Sequence, residues 1–369
     1  MRSEVAMLHS VGSNHTKWCD LWLTVDAEQF ERMCAYLERH QYHTDFLDHW
    51  YYLEDHPEEK TGKEFYLTFD DGYLDNLLVA YPILAKHHLK ATIFVNPEFV
   101  DTSSGIRTLK ESAGGTLGFL NWDEIKFLQQ SGVFDIQSHS MSHNFYFASD
   151  KLVDIYEGQD TYHWMPWIAQ PDKKMYWQYA DQTSFVPFGT PVFEKGRALG
   201  LRRYFPDSKL DELGQQLLQQ GLPKEDIIKQ LREVQKEYPG RFETDEEMSE
   251  RYRYELEESK RILEVQLNKP VDFLCWPGGG YNELSLRMAE EAGYKASTIA
   301  SRDRKAWFDN KGMSYKRIKR NGLSSVINLK GKYIWPINKN LLTWRFLATF
   351  RGSFLHTNLL RAMQVYYSL

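Results

Sequence analysis

The chain has 369 residues, 42% of them hydrophobic and 26% charged, and its formal net charge is −6. This composition excludes a disordered chain and provides enough apolar residues for a full barrel core with additions. The three cysteines, Cys19, Cys34 and Cys275, lack metal-binding or redox spacing, which excludes a disulfide-stabilised scaffold. Between Met1 and His9 there is no room for the apolar region of a signal peptide, so we expect a cytoplasmic protein.

Strands and helices alternate along much of the chain. Five short segments have the pattern of strands: 65–69, 91–95, 134–138, 272–276 and 295–299. Four segments have the pattern of helices: 74–88, 122–131, 246–267 and 282–292. Gly132 and Gly293 follow two of these helices and predict where they end. Because such connections are right-handed and join parallel strands, the pattern predicts an α/β fold, an incomplete or distorted (β/α) barrel.

Two groups of polar side chains follow predicted strands. Asp70 and Asp71 come directly after strand 65–69, and His139 and His143 come after strand 134–138. One carboxylate and two imidazoles can hold a divalent metal ion and leave positions open for water and substrate. An Asp-Gly turn and ordinary loop histidines are the alternative explanation. The two groups together favour a metal-dependent hydrolase, whereas the Asp pair alone fits a turn equally well.

The segments 68–73 and 138–143 resemble the first two motifs of the polysaccharide deacetylases, the NodB-homology family. In motif order the chain is similar to the circularly permuted biofilm-polysaccharide deacetylase branch, whose N-terminal Tyr-His-x-Val opening resembles 7–11. Weaker similarities are found at 30–42, 120–125, 273–281, which resembles the third motif, and 317–323, which resembles the closing strand. The resemblance covers about residues 5–143 and 250–325 and implies a NodB-type barrel.

The resemblance implies roles for individual residues. Asp71, His139 and His143 would bind one divalent metal ion, and Asp70 would be the general base that takes a proton from the attacking water. Zinc is the default ion for this donor set, and nickel, cobalt and iron also fit. A backbone N–H near Gly278 would share the developing oxyanion. The expected substrate-binding residues are Trp122, Trp276, Pro277 and Gly278.

The general acid and the residue that orients the base remain open. His9 matches the histidine of the permuted branch, and His356 has the local appearance of the late family motif. We favour His9 because His356 lies beyond the predicted closing strand; the alternative for His9 is a buried strand histidine with a hydrogen bond to a neighbour. In much of the family an arginine near the third motif orients the base, and this chain has Cys275 close to that position. We therefore expect Arg320 to orient Asp70, with Arg317 as the second candidate. Either arginine could instead be an ordinary surface residue.

The predicted domains are a barrel over 1–330, interrupted by an insertion over 145–246, and a tail over 331–369. The first part of the insertion is rich in aromatic residues, and its second part is charged and has a helical pattern. Because the insertion follows His143 directly, we expect it to cover the active site. Its rings suit sugar faces or lipid headgroups, or they form the core of a lid.

Charge is distributed unevenly along the chain. Residues 302–369 contain 14 Lys and Arg and 2 Asp, a net charge of +12, while the remainder carries −18. The basic, aromatic tail is typical of a helix that lies on an anionic membrane surface, here the inner face of the membrane. The alternative is a tail helix that packs on the barrel. The sequence contains no nucleic-acid-binding motif, so we expect no nucleic-acid partner.

The function expected from these features is N-deacetylation of an N-acetylated sugar, free or lipid-linked, during envelope or exopolysaccharide synthesis. Two alternatives remain. A related metal-dependent amidase would act on a small non-sugar amide and would need neither a sugar ring nor a membrane. A non-catalytic glycan- or lipid-binding protein would not need a base beside a metal ion.

Overall fold

The computed structural model describes residues 4–12, 23–112, 114–300, 303, 308–323, 326–329, 333–336, 355, 358, 359, 362 and 363. The strands are β1 Glu4–Leu8, β2 Ser10–Val11, β3 Thr24–Val25, β4 Phe65–Phe69, β5 Ala91–Val95, β6 Phe134–Ser138, β7 Phe145–Ile155, β8 Pro191–Arg197, β9 Tyr204–Phe205, β10 Arg241–Phe242, β11 Phe273–Leu274, β12 Ala296–Thr298, β13 Lys316–Ile318, β14 Asn321–Gly322, β15 Val326–Leu329 and β16 Tyr333–Pro336. The α-helices are α1 Ala27–Arg39, α2 Leu47–Asp55, α3 Tyr81–Lys86, α4 Trp122–Gln130, α5 Trp164–Ala169, α6 Ser208–Gln219, α7 Lys224–Glu237, α8 Asp245–Arg253, α9 Ser259–Leu267 and α10 Glu283–Glu291.

Eight parallel strands form the central sheet, in the order β13-β12-β11-β6-β5-β4-β1-β14. The two edge strands, β13 and β14, are joined by only Lys319 and Arg320. A link of two residues cannot span an open sheet of eight strands, so the sheet must curl until its edges approach each other. The predicted α/β fold, a distorted (β/α) barrel, is confirmed.

Alternate residues of the strands build two separate cores. Phe65, Leu67 and Phe69 of β4 pack under the surrounding helices, while Tyr66 points into the barrel. The interior cluster also contains Leu47 and Trp50 of α2, which fill the end of the barrel where the strands begin. The alternation of side-chain direction along the strand continues to Asp70, just after its end, so that Thr68 and Asp70 point into the barrel like Tyr66. The barrel is therefore filled with side chains up to the level of Asp70.

Most predicted elements agree closely with the structure. The strands predicted over 65–69, 91–95 and 134–138 have these bounds. The helix predicted over 246–267 consists of α8, a π-helical turn at Tyr254–Glu258 and α9, and the helix predicted over 74–88 begins with a π-helical turn at Asn76–Ala80. Gly132 and Gly293 follow α4 and α10 with φ of +70° and +85°, the left-handed conformation that ends many helices.

The segment 317–323 differs from the expected single closing strand. Its first part belongs to β13 and its second part to β14, which lie at opposite edges of the sheet. The chain turns between them at Lys319 and Arg320. Because one strand cannot occupy both edges, the closure of the barrel divides this segment between two strands.

The insertion contains its own secondary structure and packs on the rim of the barrel. Strands β7 and β8 form a long antiparallel pair, and α6 and α7 pack on one end of it around Phe193 and Leu231. A second cluster joins aromatic rings of the insertion, among them Trp164 and Trp167, to Phe99 of the barrel rim. Most of these rings therefore form a core of the insertion, one of the roles considered for them.

In the part of the chain described here, no helix has both the length and the apolar character needed to cross a membrane. Most of the tail over 331–369 lies outside the described residues, and so do His356 and Cys19. The membrane-surface hypothesis for the tail therefore stays a prediction from its charge and composition.

Candidate metal centre

Asp70 and Asp71 lie at the carboxyl end of β4, and a tight turn separates their side chains. Asp71 and Gly72 both have left-handed backbone conformations, with φ of +75° and +72°. Asp tolerates this conformation better than most residues, and Gly adopts it without strain. Asp70 continues the strand and faces the barrel interior, whereas the turn directs Asp71 toward the loop after β6.

Asp71, His139 and His143 converge around one carboxylate oxygen. Oδ1 of Asp71 is 3.1 Å from Nε2 of His139 and 3.5 Å from Nε2 of His143. This oxygen is buried, and among the described residues it has no hydrogen-bond partner of good geometry. Because a metal ion could bind between these three atoms, the donor set fits a divalent metal with two imidazoles and a carboxylate.

The loop that carries the two histidines contains backbone conformations that few residues adopt. His139 follows β6 directly, and Ser140 and His143 have φ of +60° and +54°. Together with Asp71, they account for three of the six non-glycine residues with positive φ in the described chain. Such conformations concentrate at functional sites, where the surrounding structure must stabilise them.

The orientation of the His139 ring is fixed by a hydrogen bond to the backbone. Nδ1 of His139 donates a hydrogen bond to the carbonyl oxygen of Cys275 at 2.8 Å, so that Nε2 is the nitrogen that faces Asp71. Burial lowers the pKa of His139, but contacts with Cys275 and Asp71 outweigh burial and hold this pKa above its usual value. Burial lowers the pKa of His143 to about 3, which leaves that imidazole neutral at pH 7.

Two buried ionisable residues hold the loop that carries the histidines. Glu255, in the π-helical turn after α8, accepts hydrogen bonds from the backbone N–H of Met141 at 3.2 Å and of Ser142 at 3.0 Å. Lys174, from the insertion, donates to the carbonyl oxygen of Ser142 at 3.0 Å and to Oδ1 of Asn144 at 2.8 Å. Both side chains are buried, so the loop is fixed on either side of His143.

Lys174 is completely buried and forms an ion pair with Glu98. Burial lowers the pKa of Lys174, and the nearby carboxylate of Glu98 opposes this change. Glu98 follows β5 on the barrel rim, so this pair joins the insertion to the barrel directly beside the metal-binding loop.

Asp70 lies between an arginine and a histidine. Nη1 and Nη2 of Arg320 are 2.6 Å and 2.8 Å from Oδ1 and Oδ2 of Asp70, and Nε2 of His9 is 3.7 Å from Oδ2. Burial raises the pKa of Asp70, but Arg320, His139 and His9 outweigh burial and lower it to about 2. Asp70 is therefore a carboxylate at neutral pH.

Arg320 has further partners inside the barrel. It donates to Oγ1 of Thr68 at 3.0 Å and to Sγ of Cys275 at 2.9 Å. The Thr68 hydroxyl in turn donates to the carbonyl oxygen of Ala6 in β1 at 2.6 Å. These contacts with Thr68 and Cys275 fix the orientation of the guanidinium independently of its contact with Asp70.

The third motif forms a turn beside the histidines. Pro277 and Gly280 line the same cleft as Ser140 and His143. Arg197, at the end of β8, lies across this turn so closely that a Cβ atom added to Gly278 would be 2.1 Å from Cζ of Arg197. Gly278 also has a φ of +53°, which favours glycine, and any larger residue there would displace the Arg197 side chain.

The other predicted site residues lie apart from the metal-binding residues. Trp276 is 1% exposed and packs in the main core against Tyr281, which leaves no ring face for a substrate. Trp122 is the first residue of α4 and packs against the same core. Arg317 contacts the rings of Tyr281 and Phe308 and not the Asp70 carboxylate.

Sequence reasoning did not identify Lys174, Glu255 or Arg197 as part of the site. Lys174 and Arg197 belong to the insertion, and Glu255 to a long charged helix, where such residues are normally solvated. A lysine within the aromatic part of the insertion was the one available signal, since Lys174 stands directly before Met175-Tyr176-Trp177.

Comparisons with known proteins agree with this geometry. The sequence model of the polysaccharide deacetylase family matches residues 57–177. The curated protein "Putative polysaccharide deacetylase YxkH" from Bacillus subtilis strain 168 is 28% identical over 139 residues, which are 38% of this chain and 42% of that protein. The chain therefore matches less than half the length of this curated relative.

Solved structures with the same fold include two deacetylases. A de-N-acetylase from Aggregatibacter actinomycetemcomitans superposes with a TM-score of 0.55 and 17% identity, over 90% of this chain and 98% of that chain. The BpsB deacetylase domain from Bordetella bronchiseptica superposes with a TM-score of 0.51 and 17% identity, over 87% and 96% of the two chains. At these identities the two structures establish the fold, and the family resemblance of the sequence is confirmed by the family model.

Proposed function

We propose that the chain belongs to the polysaccharide deacetylase family, which the family model and the curated relative support over part of its length, and that it hydrolyses the acetamido group of an N-acetylated sugar with the help of one divalent metal ion. The observation that carries this proposal is the arrangement around the two aspartates. Asp71 meets both histidines at one buried oxygen, and Asp70 next to it is ionised and held by Arg320. A binding protein would need neither the second carboxylate nor its arginine.

Asp71, His139 and His143 are the proposed metal ligands. Support comes from the unpartnered Oδ1 of Asp71 and from the two Nε2 atoms that face it. The donor set of two nitrogens and one oxygen suits zinc first, and nickel, cobalt or iron second. When bound, the ion would polarise the acyl oxygen and make water more acidic.

Asp70 is the proposed general base. Its ionised carboxylate can accept a proton from the attacking water, and Arg320 fixes the two oxygens so that their remaining lone pairs point in defined directions. Arg320 is a positioning residue in this proposal, because its contacts are with Asp70, Thr68 and Cys275.

His9 is the proposed general acid for the amine that leaves. Nε2 of His9 is 3.7 Å from Asp70, so that acid and base lie side by side above the barrel interior. The backbone carbonyl of His9 accepts a hydrogen bond from the Asn76 side chain at 2.8 Å, which fixes the chain just after β1. A protonated His9 could therefore reach the nitrogen of a scissile amide bound next to Asp70.

Aromatic rings surround the His143 ring, and the ring centroids of Phe99, Phe145 and Trp167 lie 6.2, 6.5 and 6.4 Å from it. Phe99 and Trp167 are buried, so the half-buried Phe145 is the one of these three rings that could contact the apolar face of a sugar. The N–H of Gly278, in the turn beside the histidines, stays the proposed oxyanion donor.

A direct test is acetate release from N-acetylated hexosamine oligosaccharides by the zinc-loaded protein, with a simple N-alkyl acetamide as the second substrate. Turnover of the sugar alone supports the proposal. Equal turnover of both substrates would favour a general amidase. Absence of turnover in protein with full metal occupancy and tight glycan binding would mean that the chain binds glycans without hydrolysing them.

A further inference from the structure

We propose that His43, Asp45 and His49 form a second divalent-metal site, separate from the candidate metal centre. Each residue offers one ligand atom, and the three atoms lie within 4.8 Å of one another. Two imidazoles and one carboxylate suit zinc, nickel or copper, because nitrogen donors favour these ions over calcium and magnesium. The three residues lie within seven positions of the chain, in the loop before α2 and in its first turn.

This site lies at the end of the barrel opposite the catalytic residues. His43 pairs with Glu64, which directly precedes β4, whereas Asp71 follows the same strand. Six residue steps of extended chain lead from Glu64 to Asp70, which corresponds to about 20 Å, and Asp71 follows in the turn. A metal ion near His43 therefore cannot share ligands with the catalytic ion, and the two sites can be tested independently.

The backbone of the loop is fixed to the sheet. His43 donates its N–H to the carbonyl oxygen of Lys63, and its own carbonyl accepts from the N–H of Phe65, both at 2.9 Å. The Thr44 hydroxyl accepts a hydrogen bond from the N–H of Lys90, just before β5, at 2.9 Å. Ligands on such a fixed backbone lose little conformational freedom when a metal binds.

The Asp45 carboxylate presents one oxygen to this site. Its Oδ1 accepts from the N–H of Phe46 and from Nζ of Lys90, both at 2.9 Å, while its Oδ2 is 3.5 Å from Nε2 of His43. Neighbouring ligand atoms around a tetrahedral zinc ion are about 3.3 Å apart, so this pair is already near the required spacing. Burial raises the pKa of Asp45, but Lys90 and the Phe46 N–H outweigh it and keep the group ionised.

His49 has the second hydrogen bond that metal-binding histidines usually have. Its Nδ1 lies 2.9 Å from the hydroxyl of Tyr66, a buried residue of the barrel interior. When Nδ1–H donates to this hydroxyl, Nε2 keeps its lone pair for a metal ion. The His49 ring lies 5.1 Å from the His43 ring, edge to face, so both rings border the same space.

Metal binding here would stabilise the barrel rather than take part in catalysis. The ligands connect the loop to the first turn of α2, and this helix contributes Leu47 and Trp50 to the interior core. An ion that binds only the folded chain raises its thermal midpoint. Three protein ligands leave at least one coordination position for water.

The test counts metal ions in four proteins: wild type, His43→Ala, His139→Ala and the double variant. After equilibrium dialysis against zinc, elemental analysis should give two, one, one and no ions per chain. The His43 side chain is 58% exposed, so its truncation should leave the fold intact. His40→Ala, another exposed histidine outside the cluster, is the matched control and should keep both ions.

Affinity gives a second, milder test. Tyr66→Phe removes only the hydroxyl and should weaken zinc binding at the site about 10- to 100-fold, measured in the His139→Ala background. If His43→Ala binds as many ions as the wild type with unchanged affinity, the second site does not exist. If instead the wild type holds one ion that His43→Ala loses and His139→Ala keeps, this site stands and the proposed catalytic metal is wrong.

Discussion

Arg320 donates a hydrogen bond to each carboxylate oxygen of Asp70, with Nη1 2.6 Å from Oδ1 and Nη2 2.8 Å from Oδ2. The arginine belongs to the two-residue link between β13 and β14, and the aspartate follows β4. Their contact therefore ties the closure of the barrel to the proposed general base. The pair is fully buried, and each partner needs the other to remain charged there.

Replacing Arg320 by methionine should destabilise the protein by about 3–5 kcal/mol, because it leaves a buried carboxylate without its counter-ion. Urea unfolding of wild type and variant at pH 7 measures this difference. Arg317→Met is the matched control, because Arg317 does not contact Asp70. It should lower the free energy of unfolding clearly less than Arg320→Met does. Equal effects of the two substitutions would contradict a special role for Arg320.

The stability difference between wild type and Arg320→Met should depend on pH. The pKa of Asp70 in the folded wild type, about 2, lies below its ordinary value of 3.8. A lowered carboxyl pKa stabilises the fold fully above the unfolded pKa, and this contribution is lost as the pH falls toward the folded value. The difference between the two proteins should therefore narrow from pH 4 to pH 2. A constant difference over this range would contradict the assignment.

Asp70→Asn and Asp71→Asn should separate the base from the ligand. Asp71→Asn should lose the catalytic metal ion, because it replaces the charged carboxylate that faces both histidines with a neutral amide. Elemental analysis after dialysis measures this loss. Asp70→Asn should keep the ion and lose about 10²- to 10⁴-fold in kcat, the usual contribution of a general base. Full activity of Asp70→Asn would exclude it as the base.

His9→Gln should affect substrates according to their leaving group. An amine must be protonated as it leaves, whereas a nitrophenolate does not need a proton. We therefore expect a loss of about 10²-fold or more with an N-acetylated sugar and a much smaller loss with nitrophenyl acetate. His356→Gln is the matched comparison. If His356→Gln shows the selective loss and His9→Gln does not, the general acid has been misassigned.

Lys174→Met should lower both stability and metal affinity. The substitution breaks a buried ion pair with Glu98, which costs about 3–5 kcal/mol, and it frees the loop beside His143. We expect zinc affinity of the catalytic site to fall about 10- to 100-fold, as for other supporting partners of ligands. Lys151→Met, which breaks an exposed pair in the same insertion, should change neither quantity measurably.

Gly278→Ala should reduce stability and activity through its contact with Arg197. The added Cβ would lie 2.1 Å from Cζ of Arg197, and the φ of +53° adds strain of about 1 kcal/mol. Gly221→Ala is the control for strain alone, because its φ is +75° and no heavy atom lies within 4 Å of the added Cβ. Arg197→Ala should partly rescue Gly278→Ala. Additive effects of the two substitutions would contradict the predicted clash.

The sequence by itself determined the strands and the positions of the proposed ligand residues along them. The segments 65–69 and 91–95 are largely apolar, while 134–138 alternates apolar and polar residues, and both patterns are typical of short strands in a sheet. Asp70, Asp71 and His139 follow these strands directly, so strand direction alone brought them to one end of the barrel. These features depend on residues close in sequence, and they were predictable for that reason.

Only the tertiary structure decided which arginine meets Asp70. Arg317 and Arg320 are three residues apart in one basic segment, and the closure of the sheet turns Arg320 inward while Arg317 packs against Tyr281. The same is true of Lys174 and Glu255, which reach the His143 loop from distant segments. A charged side chain is tolerated in the protein interior only beside a group of opposite charge or a hydrogen-bond partner. The packing of separate elements supplies that partner, and no local sequence pattern specifies it.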